Sequence, residues 1–215
     1  MVRHPPTPHG HEDVVQEVTA PQKEVLRIAL AMRGGVSLSV WVGGAVREID
    51  RLRVDIKHSK SPSVLAGVAR AVGYRGVEID VLSGASAGGL NAVILAAAMV
   101  TKGSVEKLRD VWLTDADIRC LLRKSRVKTQ LSLLDGDYFY ERLKLQLNRL
   151  MEEAPTTKSG LPAPPRRLDV LLSVTSVVPN PVTASSDPSV PVTEQRIDGT
   201  IHLRHRGRRT DFRQD

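Results

Sequence analysis

A serine set among glycines and alanines, Gly84-Ala85-Ser86-Ala87-Gly88, is the residue of this 215-residue chain whose surroundings are best suited to chemistry. The spacing is that of a Gly-x-Ser-x-Gly nucleophile elbow, in which the serine takes a strained backbone position between a strand and a helix and holds its hydroxyl above the sheet edge. Glycine, or at most alanine, is needed at 84, 85, 87 and 88 because the strand and the start of the helix come close together there. The chemistry this suits is attack on a carbonyl carbon. A helix opening just after Ser86 aims its free N–H groups and positive dipole end at the oxygen on which charge develops. A plain glycine-rich turn and a phosphate-binding loop are the competing readings. A Walker-type loop ends in Gly-Lys-Ser/Thr, which Gly88-Gly89-Leu90-Asn91 does not supply, and Thr101-Lys102-Gly103-Ser104 comes after the helix.

The elements around the motif support the first reading. Val77, Ile79, Val81 and Leu82 supply a buried strand before it, and Leu90 to Met99 an apolar helix after it. Upstream, Val25 to Met32 is an apolar run suited to a central strand covered on both faces. It ends in Arg33-Gly34-Gly35, and a helical pattern follows through Val42, Val46, Ile49 and Leu52. A glycine turn between strand and helix leaves successive N–H groups facing outward as an anion-binding concavity, so Gly34 and Gly35 are candidates for an oxyanion hole. After a polar connection over 55–63, a helix at 64–72 packs through Leu65, Val68 and Val72, which completes the crossover expected of parallel strands.

Further on, Val105, Leu108, Val111 and Trp112 mark an amphipathic helix, and 115–124 a shorter one carrying Cys120 as a small apolar residue. Asp135-Gly136 is a turn with Asp137 as the expected N-cap, ahead of a stripe of Phe139, Leu143, Leu147, Leu150 and Met151. Residues 154–166 read as a loop, 168–175 as a buried strand and 194–204 as a final strand. Residues 1–23, punctuated by Pro5, Pro6, Pro8 and Pro21, read as a flexible leader, and 206–215 as a basic, solvated tail.

Composition narrows the function classes. Aromatic residues are only 3% of the chain, so the core is built from Leu, Val, Ile and Ala. One cysteine excludes an internal disulfide framework and fits a reducing compartment. The six histidines are scattered without metal-ligand spacing, so no metal or cofactor is expected. No signal peptide or membrane-spanning run is visible, which leads us to expect a cytoplasmic protein or one peripheral at the inner membrane surface. The net charge of +7 and pI near 9.8 permit contact with anionic surfaces. No specific nucleic-acid partner is expected, because the basic residues lack interleaved aromatics on a helix.

Arg33-Gly-Gly-Val-Ser-Leu-Ser-Val-Trp-Val-Gly-Gly44 followed by Gly84-Ala-Ser-Ala-Gly-Gly89 resembles the patatin-like phospholipase family, in particular its bacterial, patatin-related branch. The resemblance covers about residues 25 to 205, so 24–205 is taken as the N-terminal part of a patatin-like domain. It implies a three-layer α/β/α fold with a mostly parallel central sheet, and hydrolysis of lipid or other fatty-acyl esters by a Ser-Asp dyad without histidine. By resemblance Ser86 is the nucleophile, and Gly34 and Gly35 belong to the oxyanion-hole loop, although the family's commoner Gly-Gly-Gly-x-Arg/Lys-Gly form is not reproduced. The family's aspartate lies in Asp-Gly-Gly or Asp-Gly-Ala, and these 215 residues contain neither. Asp198-Gly199-Thr200 is nearest in form, which makes Asp198 the candidate base, while Asp135-Gly136-Asp137 comes too early. The fold is therefore expected to be incomplete at its C-terminus. The alternative is a catalytically inactive fragment acting as a lipid- or protein-binding module.

Overall fold

The computed structural model describes residues 24–103, 105–106, 111–123, 132–152, 162–183 and 193–212. The leader read over 1–23, Leu108 and most of the loop read over 154–166 lie outside these residues. The fold is mixed α/β, with a central, mostly parallel sheet flanked by helices, as the sequence predicts. Strand β1 (Glu24–Met32) leads through a 3-10 turn (Val36–Leu38) into α1 (Ser39–His58) and α2 (Val64–Ala71). Then come β2 (Tyr74–Ala85), α3 (Ala87–Thr101), a π-helical turn (Val111–Asp115), α4 (Ile118–Leu121), α5 (Gly136–Glu152), β3 (Leu168–Thr183), β4 (Thr193–Arg206) and β5 (Arg209–Thr210).

The strands lie in the order β1-β2-β3-β4-β5. β1, β2 and β3 are parallel, joined by crossovers through the helices, and β4 and β5 extend the sheet antiparallel. Leu26, Ile28, Leu30 and Met32 of β1 pack on the core, while Val25, Arg27, Ala29 and Ala31 are exposed. The sequence reading of a central strand covered on both faces therefore does not hold for β1, which forms one edge of the sheet. Its apolar alanines satisfy the hydrophobic pattern without being buried.

Helix α3 is the centre of the core. It is apolar all round, and eleven of its residues are buried, so it must be enclosed by other elements. It packs on all three parallel strands and meets α1 and α5 on its other sides. Ile79, Leu82, Leu95, Met99 and Leu168 are almost fully buried, each contributing about 1.5–3 kcal/mol by leaving water. Cys120 does lie on a helix, α4, but is exposed. The start of α5 is capped by Asp135, whose Oδ1 accepts the Tyr138 N–H at 3.2 Å. Asp137, the expected cap, is an exposed first-turn residue facing Arg123 at 3.8 Å.

Part of the segment read as a solvated tail folds back. β5 pairs with the end of β4, and Arg206 reaches across to Asp169 of β3. The buried Asp169 carboxylate accepts from Arg206 Nη2 at 2.6 Å and Arg167 Nε at 3.0 Å, and His202 Nε2 lies 2.7 Å away. Arg206 first, then Arg167 and His202, hold its pKa well below the ordinary carboxylate value, against the opposing effect of burial. A pKa lowered by folding stabilises the protein above the unfolded value, near 3.9, and that stabilisation is lost as pH falls through and below it. Wild type is therefore expected to melt higher than Asp169→Asn by a constant margin, about 1–2 kcal/mol, at neutral pH. Melts at decreasing pH check this: the margin closes below about pH 4.

Candidate active site

The parallel register carries β2 up to Gly84 and Ala85, which lie beside Leu172 and Ser173 of β3 and at the end of β1. The chain then turns at once into α3, and the residue that absorbs the turn is Ser86. Its backbone sits at φ 51, ψ −127, one of two non-glycine positive φ values among the described residues. This conformation costs about 1–3 kcal/mol and persists only where surrounding structure enforces it. The enforcement is visible in the flanking glycines. A Cβ on Gly84 would lie 2.5 Å from the Gly88 carbonyl atoms, and one on Gly88 would overlap the Met32 carbonyl oxygen and lie 2.7 Å from that of Arg33. Strand β2, helix α3 and the end of β1 thus meet backbone to backbone around Ser86.

The Ser86 side chain is exposed at the head of α3 and, among the described residues, has no hydrogen-bond partner. Ala87, Gly88 and Gly89 open the helix, where N–H groups have no intrahelical acceptor. The Arg33-Gly34-Gly35 loop crosses directly beside it. A Cβ on Gly34 would stand 2.8 Å from both the Ser86 Cβ and the Ala85 oxygen, so any side chain there would displace the loop or the serine. Gly35 has φ +135, outside the usual range of L-residues, and its carbonyl accepts the Leu38 N–H at 3.1 Å. That turn leads the loop into α1. Gly34 therefore lies against Ser86, with Gly35 next to it in the chain.

Sequence reasoning missed what fixes this loop relative to α3. Asn91, one turn into α3, is fully buried. Its Oδ1 accepts the Trp112 Nε1–H at 2.8 Å and its Nδ2 donates to the Ser39 carbonyl at 3.4 Å. Trp112 also packs against Gly43, where a Cβ would lie 3.1 Å from its ring. One polar side chain thus ties α3 to the start of α1 and to the π-helical turn, which Arg142 and Gln146 of α5 hold through Asp115 at 2.8 and 2.7 Å. The only available signal was an asparagine in an otherwise apolar helix, where an unpaired amide would be costly.

A groove of about 490 Å³ runs from Ser86 between α3 and β3. Leu90 and Val93 line one wall and Leu172, Val174 and Thr175 the other. Asp198 lies on β4, exposed and opposite Thr175. It is two strands from β2, on the order of 10 Å by sheet spacing, and the structure does not bring it into hydrogen-bond contact with Ser86. Among the described residues there is no group of side chains suited to a metal ion, and no helix is long and apolar enough to cross a membrane.

Residues 30–209 match the family model described as patatin-like phospholipase. Over 155 residues the chain is 36% identical to the uncharacterized membrane protein Rv3479 of Mycobacterium tuberculosis. That match covers 62% of this chain and 14% of the mycobacterial protein, so the chain spans a small part of its relative's length. No solved structure gives a significant match.

Proposed function

This chain belongs to the patatin-like phospholipase family, and from that premise we propose that it hydrolyses fatty-acyl esters with Ser86 as the nucleophile. The observation that carries the reading is the Ser86 backbone at φ 51, ψ −127, exposed at the head of α3 with Gly34 against it. Strain of this kind, at a serine whose neighbours are all small, has a purpose if the hydroxyl must stand clear of the sheet. In the proposed reaction a carboxylate takes the Ser86 proton as Oγ bonds to the ester carbonyl carbon. The carbonyl electron pair moves onto oxygen, facing the N–H groups of the Gly34-Gly35 loop and the first turn of α3. Collapse expels the alcohol, which takes up the proton, and water then cleaves the acyl-serine to give the fatty acid and free Ser86.

Asp198 is the carboxylate proposed for the base, on its likeness to the family tripeptide. A second reading, a lipid-binding module without turnover, is favoured by the lack of any hydrogen bond from the Ser86 hydroxyl among the described residues. Labelling with a fluorophosphonate probe tests the first. The expected result is labelling of wild type and none of Ser86→Ala; a folded wild type that stays unlabelled overturns it. Asp198→Asn then reports on the base, since its loss should slow labelling without unfolding the chain.

The groove gives the acyl chain its path, along Leu90 and Val93 on one side and Leu172 and Val174 on the other. Val93 lies seven residues beyond Ser86, at the far end of the α3 wall. Val93→Phe is expected to shift the preferred p-nitrophenyl ester to shorter acyl chains, lowering kcat/KM for the longest by about tenfold or more. Activity on the acetyl ester should be nearly unchanged. An equal loss at all lengths would argue against this path. Because phospholipids, the substrates the family description names, are membrane lipids, and the mycobacterial relative is named a membrane protein, work at a membrane surface is part of the proposal.

A further inference from the structure

The chain has two tryptophans, and the structure uses them in opposite ways. Trp112 is buried and hydrogen-bonded to Asn91. Trp41, in the first turn of α1, is 72% exposed, and among the described residues its indole N–H has no acceptor. Leu38 and Val40 beside it are 45% and 40% exposed. Leu38 and Trp41 are three residues apart at the helix start, so they fall on one side of it. The inner side of the same turn is fully engaged: Ser39 is buried, and Gly43 lies against Trp112. In a chain with so few aromatic residues, a large side chain left in water next to two exposed aliphatic ones makes an apolar step that the described residues do not cover.

Its position ties it to the reaction. A Cβ on Gly35 would lie 3.7 Å from the Leu38 side chain, and one on the neighbouring Gly34 would lie 2.8 Å from the Ser86 Cβ. The step therefore follows directly on the glycine loop that lies against Ser86, one of the residues lining the groove. Arg33, on the other side of the same glycines, is exposed and has no ion pair among the described residues. An apolar step with an indole at its tip and a free guanidinium beside it matches the interface of a bilayer. Amphipathic rings settle at the level of the headgroups there, and cations meet lipid phosphates. A soluble protein partner would not account for an apolar step with a cation next to the loop at Ser86, where the proposed acyl groove opens.

We propose that Leu38, Val40 and Trp41, with Arg33, form the surface by which this chain docks on a phospholipid bilayer, delivering lipid to the groove at Ser86. The choice of a lipid surface as the partner rests on the proposed reading of Ser86, but docking can be measured without turnover. The experiment uses wild type and Ser86→Ala with vesicles of phosphatidylcholine containing a minority of phosphatidylglycerol. Added vesicles should shift the tryptophan emission to the blue, and lipids brominated on the acyl chain should quench it. In Trp41→Ala, which keeps only the buried Trp112, both effects should vanish and vesicle partitioning fall about tenfold. Arg33→Gln should weaken binding only to the vesicles that contain phosphatidylglycerol, and reduce its salt dependence.

Emission that stays unchanged with vesicles in wild type overturns the proposal. So does a blue shift that grows with protein concentration without lipid and goes with a dimer lost in Trp41→Ala, because the step then joins two copies of the chain. Docking through Trp41 in a protein that the fluorophosphonate never labels would uphold this surface and sink the catalytic reading of Ser86. Labelling without docking would do the reverse.

Discussion

Ser86→Ala is expected to lower turnover of a fatty-acyl ester by on the order of 10⁵-fold or more, leaving only what the groove and the oxyanion donors provide. The physical reason is that alanine removes the atom that would bond to the acyl carbon while keeping the backbone angle, the glycine contacts and the groove. Substrate affinity should change little, so the loss falls on kcat. Ser86→Gly distinguishes a catalytic serine from a strained turn of no consequence. Glycine adopts positive φ without penalty, so this variant should be more stable than wild type by about 1 kcal/mol and equally inactive. A gain in melting temperature together with total loss of activity is what a strained functional residue produces, since stability has been given up for the position of the hydroxyl. If Ser86→Gly melts lower, the strain is absent or offset by hydrogen bonds of the serine, and the argument from φ 51 fails.

The features legible in the sequence are those in which a local rule and a tertiary requirement coincide. Gly84 and Gly88 stand out because their spacing around a serine is unusual, and the structure gives each a backbone neighbour that leaves no space for a side chain. The parallel strands and their helical crossovers are legible for the same reason, apolar runs separated by glycine turns, but α2 packs through Ala66 and Ala69 and leaves Leu65, Val68 and Val72, the expected packing face, exposed. What escaped notice depends on partners far apart in the chain. Asn91 looks like an interruption of an apolar helix until Trp112, 21 residues on, and Ser39, 52 residues back, are brought to it. Asp169 reads as one polar residue in a strand, because Arg206 and His202 lie 37 and 33 residues away. The edge position of β1 was missed because alternation of Leu and Ile with Ala cannot tell a covered face from an open one. Asp135 and Asp137 are equally good caps by type, and only the register of α5 selects the first.

The second large effect is expected at Gly88, and it tests the packing on which every statement about Ser86 depends. In Gly88→Ala the new methyl group would overlap the Met32 carbonyl oxygen and crowd that of Arg33, both main-chain atoms at the end of β1. No side-chain rotation relieves such contacts, so either α3 moves off the sheet or β1 separates from β2. Because α3 carries eleven buried residues, moving it exposes the core, and a cost above about 4 kcal/mol is expected. For a domain of marginal stability that is most of the folding free energy, and soluble yield should collapse. Gly67→Ala in α2 is the control, since nothing lies within 4 Å of its would-be Cβ. There, alanine should raise stability by up to about 1 kcal/mol through helix propensity. Thermal melts of the two variants beside wild type decide the matter. If Gly88→Ala melts with the wild type, α3 does not approach β1 this closely, and Ser86 has no enforced turn to raise its hydroxyl from the sheet. If it fails to fold while Gly67→Ala gains, the glycine at 88 is required by the approach of helix to strand, the same constraint that holds Ser86 beside Gly34.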